Sequence, residues 1–74
     1  MPFDGPSLAA LRARRRLSQP QLAAMAGCHW VSVSRWEHGH HQPSAEQIVR
    51  LAAALRVSAA RLMPAAEPLT PKES

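Results

Sequence analysis

At 74 residues the chain has room for one domain and a modest core, burying about 60 % of the surface its unfolded form exposes, which leaves little space for an enzyme's pocket. Eight arginines and one lysine against five acids give a net charge of +4, an excess that suits a polyanionic partner, nucleic acid or an anionic membrane surface, and is also common on merely soluble proteins. The single Cys28 excludes an intramolecular disulfide, and no apolar run approaches the ~20 residues of a membrane span, so a cytoplasmic protein without membrane attachment is expected.

Alanine and aliphatic residues dominate, tyrosine is absent and β-branched residues come singly, a composition for helices rather than strands. Residues 1–6, with Pro2 and Gly5, read as an irregular lead-in. Ser7 is the expected N-cap of a first helix running to Arg16, with Leu8 and Leu11 facing a core. Arg12 lies one turn on from Leu8, so it sits against that core and needs an acidic partner. Arg14, Arg15 and Arg16 suit the negative end of the helix dipole; contact with a phosphate is the alternative. Ser18, Pro20 and Gln21 then form a helix start with a capping box, and the second helix runs through Leu22 to Gly27, its small residues permitting close approach.

The stretch Gly27–Gly39 is a third helix bracketed by glycines. At 100° per residue Val33, Trp36 and Glu37 gather on the inward side. Val31, Ser34, Arg35 and His38 point outward, with Trp30 and Ser32 on the flanks. That surface is either an ordinary solvated face or a reading surface, since the DNA major groove admits a helix and arginine pairs with guanine. Ser44 and Gln47 give a second capping box for a fourth helix with Ile48, Leu51, Ala52 and Leu55 on one stripe. Arg56 stands where a glycine would end that helix without strain. Ser58 is expected to cap a last short helix, Ala59 to Met63, and residues 64–74 read as a disordered proline-rich tail.

These elements together resemble the lambda and 434 repressor-like, Cro/C1 or Xre-type, helix-turn-helix family. The resemblance is carried by Leu11-Arg12, Leu17-Ser18-Gln19-Pro20-Gln21-Leu22-Ala23, Gly27, Val33-Ser34-Arg35-Trp36-Glu37-His38-Gly39, Pro43-Ser44 and Leu51 through Ser58. It implies an all-α, five-helix domain over residues 7–63, with the second and third helices as the motif. It also implies a transcriptional regulator, of the repressor kind, that binds double-stranded DNA as a homodimer on a two-fold symmetric operator. By the same resemblance Trp30, Val31, Ser32, Ser34 and Arg35 face bases. Gln19 contacts a phosphate or supports the third helix, and His38, His40 and His41 stand where phosphate contacts occur. Arg12 and Glu37 match a buried structural ion pair. Trp30 replaces a polar residue usual at the helix start, and the three histidines gain charge only as pH falls through about 6.5, so tighter DNA binding in acid is expected.

Other chemistry has less support in these residues. His29, His38, His40, His41 and Cys28 lack paired ligand spacing, and Cys28 occupies a core aliphatic position where a buried, inert thiol is expected, so no metal or other cofactor is expected. Ser18, Ser44 and Ser58 are accounted for as caps and no nucleophile, base and orienting group coincide, so the chain reads as no enzyme. Leu62 and Met63 are core or line a dimer contact. A protein-interaction module of antitoxin type, with a toxin as partner and DNA binding secondary, is the alternative reading.

Overall fold

The computed structural model describes residues 3–63; the expected tail at 64–74 lies outside them. Among the described residues there are four α-helices, α1 (Gly5–Arg14), α2 (Gln19–Ala26), α3 (Trp30–Glu37) and α4 (Ala45–Leu55), then one turn of 3-10 helix, Ala59–Leu62, and no strand. The expected fifth α-helix is therefore that single turn. Its bonds are of the tight three-residue kind, Arg61 N–H to the Ser58 carbonyl and Met63 N–H to Ala60. Ser58 stands at its N-cap, but its side chain makes no capping bond.

The first helix starts earlier than Ser7. Asp4 is its cap, accepting from the Ser7 backbone N–H at 2.9 Å and from the Ser7 hydroxyl at 2.6 Å. The expected irregular lead-in thus gives way to helix at Gly5, because Pro6 falls in the first turn where no N–H is required. Gly5 permits a close approach: a Cβ there would collide with the backbone carbonyls of Trp36 and Glu37. The positive end of α1 is thereby set against the carbonyl end of α3.

Both expected capping boxes form, Ser18 with Gln21 and Ser44 with Gln47. The helices close alike. Leu17, Cys28, His40 and Val57 each donate a backbone N–H five residues back, to Arg12, Ala23, Arg35 and Ala52. The residue before each is left-handed: Arg16 (φ 57°), Gly27 (74°), Gly39 (78°) and Arg56 (59°).

The core lies where α1, α2, α3, α4 and the 3-10 turn meet. Leu8, Leu22, Val33, Leu51, Leu55 and Leu62 are fully buried, and burying each contributes about 1.5–3 kcal/mol. Leu62 is thus core, whereas Met63 is half-buried at its edge. Phe3 packs on the same cluster, and the Asp4 N–H donates to the Leu62 carbonyl at 2.8 Å, so the start of the domain is tied to its end. No helix among the described residues is long and apolar enough to cross a membrane.

Candidate nucleic-acid interface

Eight residues of α3 make a rod about 12 Å long, held at both ends. Its N-cap is His29, whose Nδ1 accepts the Val31 N–H at 3.1 Å. That role was not read from the sequence, because His is not among the common caps; the signal available was its place just before the first helical residue. Inward, Val33 and Trp36 are buried in the core. Outward, Trp30 is 46 % exposed, its ring stacked on His29 at 6.0 Å between centroids. Arg35 and His38 are exposed, while Val31, Ser32 and Ser34 are half-buried. The His38 Nδ1–H donates to the Ser34 carbonyl at 2.8 Å, and His38 stacks on His40 at 6.1 Å. His40 and His41 are exposed in the loop that follows.

A polar network clamps the far end of α3. The Arg12 Nε and Nη2 donate to the two Glu37 carboxylate oxygens at 2.6 and 3.1 Å, and its Nη1 donates to the Leu17 carbonyl at 2.8 Å. Gln19 Nε2 donates to Glu37 at 3.0 Å. One carboxylate therefore joins α1, the start of α2 and the end of α3. The Glu37 side chain is 5 % exposed and that of Arg12 20 %, so the pair is largely withdrawn from water. The hydrogen bonds to Glu37 raise the Arg12 pKa, against the opposing effect of burial. Gln19 retains one amide hydrogen beyond its bond to Glu37.

Trp30, Val31, Ser34, Arg35 and His38 are thus carried on or beside one short helix, with Gln19 and Arg12 at its foot. Arg14 and Arg15 are placed differently. They line a cleft with Arg56 and Arg61 that includes no residue of α2 or α3, and the Arg15 Nε donates to the Leu55 carbonyl at 3.0 Å. Arg16 is exposed in the turn before α2. Cys28, expected to be buried, is half-buried against the core at the end of the turn after α2. Burial pushes its thiol pKa up, and the Arg50 charge pulls the other way. Among the described residues no cluster of three His, Cys, Asp or Glu side chains is placed to hold a metal.

Residues 5–64 match the family model described as a helix-turn-helix domain. No curated protein matches the chain. Among solved structures, the P22 c2 repressor in complex with a synthetic operator is 30 % identical, with a TM-score of 0.77 over 80 % of this chain and 89 % of that one. The restriction-modification controller protein C.AhdI from Aeromonas hydrophila is 34 % identical, with a TM-score of 0.76 over 78 % and 88 %. The DNA-binding domain of the P22 c2 repressor in solution is 30 % identical, with a TM-score of 0.75 over 80 % and 79 %. With the matched region spanning every described helix, the chain belongs to the helix-turn-helix family of lambda and 434 repressor-like, Cro/C1-type DNA-binding regulators.

Proposed function

We propose that the chain is a sequence-specific repressor that binds double-stranded DNA as a homodimer on a two-fold symmetric operator. The observation that carries this is the outward face of α3: an exposed Arg35 and Trp30 on a helix capped by His29 and clamped by Glu37. Such a helix is fixed before it meets a groove, and Arg35 is suited to bidentate reading of guanine. Val31 and Ser32 meet base edges or the adjoining sugars, Ser34 lies beside them, and Trp30 meets a thymine methyl. Phosphates are met by the free amide hydrogen of Gln19, by Arg16 and by His38, His40 and His41.

Two relatives support the regulatory reading, a repressor bound to an operator and a restriction-modification controller. An apolar cleft of about 350 Å³ lined by Pro43, Ala45, Ile48, Val49, Ala59 and Met63 is the surface that supports a contact with a second copy. Val49 is 60 % exposed there. One module makes too small a contact for high specificity, so two copies engage half-sites about 34 Å apart.

Selection from a random duplex library, with the native chain and Arg35→Ala in parallel at two salt concentrations, tests this. A symmetric motif degraded by Arg35→Ala at one position of each half-site is the expected result. Absence of any enriched motif at either salt overturns it and directs the search to protein partners, such as a toxin.

A further inference from the structure

The positive charge of the domain is concentrated in a place that α3 does not reach. Between the C-terminal ends of α1 and α4 lies a cleft of about 350 Å³, floored by Leu11 and Leu55 and lined by Arg14, Arg15, Arg56 and Arg61. Among the described residues four arginines and no acid line it. Among the described residues, Glu37 is taken by Arg12, Glu46 by Arg50, and Asp4 by the cap of α1. The helix ends do not balance the charge either. Each carries roughly half a unit of negative charge, so the two together offset about one guanidinium of four.

Part of the cleft is held in place. The Arg15 Nε is bonded to the Leu55 carbonyl, which leaves its terminal amino groups outside that bond. Arg56 is set by a left-handed backbone at the close of α4. Forked guanidinium groups pair bidentately with phosphate oxygens, and the cavity volume falls at the small end of the roughly 300–1,000 Å³ typical of ligand sites. A singly charged anion would leave most of the repulsion in place, whereas a chain of phosphates answers several guanidinium groups at once. We propose that this cleft binds a free oligophosphate, a di- or triphosphate chain, between Arg14, Arg15, Arg56 and Arg61. The site shares no residue with α3 and stands whether or not α3 reads DNA.

Calorimetric titration of the full chain with inorganic tripolyphosphate, against sulfate at matched ionic strength, provides the test. Arg56→Gly, Arg61→Ala and the control Arg35→Ala are compared, with circular dichroism confirming the fold of each. Arg56→Gly removes a cleft charge while relaxing its backbone, so loss of folding does not confuse the result. Expected are one tripolyphosphate bound per chain and affinity lower by about tenfold in each cleft variant, the effect of one charge-assisted hydrogen bond. Arg35→Ala leaves it unchanged, and amide resonances shift chiefly at residues 55–57. No saturable binding, undiminished binding in both cleft variants, or an equal loss in Arg35→Ala overturns the proposal. So does a duplex that binds through Arg56 and Arg61 when tripolyphosphate does not, which would assign the cleft to the DNA backbone.

Discussion

Two arginines occupy backbone positions better suited to glycine. Arg16 and Arg56 close α1 and α4 with φ of 57° and 59°, while the equivalent closures of α2 and α3 are made by Gly27 and Gly39. For a residue with a Cβ that conformation costs about 1–2 kcal/mol, and glycine gives part of the relief back through its freer unfolded chain. Arg16→Gly and Arg56→Gly are each expected to stabilise the domain by about 0.5–1 kcal/mol, raising the thermal midpoint by roughly 2–8 °C. An unchanged or lowered midpoint in both would mean that the side chains contribute more than the strain removes. Gly5→Ala has the opposite expectation. Its Cβ would press on the Trp36 and Glu37 carbonyls, which are backbone and cannot swing aside, so a loss of about 1–3 kcal/mol in chemical denaturation is expected. Arg56 was legible as a strained closure because it follows an apolar stripe and precedes Val57-Ser58. Arg16 and Gly5 were not, since one lay inside a run of arginines that looked helical and the other owes its constraint to α3, far along the chain.

Helices were legible where side chains and backbone cooperate locally. Ser18 with Gln21 and Ser44 with Gln47 declare their starts within four residues, and the Ile48, Leu51, Leu55 stripe declares its inner face. The ends of the domain were harder to read. Asp4 takes the cap from Ser7, and the closing element makes only a 3-10 turn because four residues leave room for little else. The least legible contact was the cap of α3, where an imidazole nitrogen does the work usually done by a short side-chain oxygen. His29→Ala is expected to destabilise the domain by about 0.5–1 kcal/mol, and His29→Asn to restore it. Faster amide exchange confined to the first turn of α3 in His29→Ala, recovered in His29→Asn, would mark the loss as a lost cap. Uniform exchange across all helices would instead show that His29 acts through general stability. The bond matters for recognition because Trp30 stacks on the same ring, so the cap and the exposed aromatic are ordered together.

At the scale of the molecule, the sequence disclosed an excess of arginine but not its distribution. Arg12 turns inward to Glu37, Arg50 pairs with Glu46 on the surface of α4, and Arg14, Arg15, Arg56 and Arg61 gather in one cleft. Arg35 alone stands on the outward face of α3. A single short helix with one such arginine discriminates weakly, which is the reason the proposed function pairs two copies. The apolar cleft beside Val49 makes this testable without disturbing the core, since the side chain is 60 % exposed in the single chain. Val49→Glu is expected to leave the unfolding free energy within about 0.5 kcal/mol of the native value, as for other surface changes. With the second copy on this cleft as proposed, the added charge would enter the contact between copies, so affinity for a symmetric site should fall by about tenfold or more while binding to an isolated half-site stays constant. Equal affinity of both proteins for the symmetric site would place the contact between copies elsewhere, whereas equal loss on the half-site would mean that Val49 supports the DNA-binding face itself.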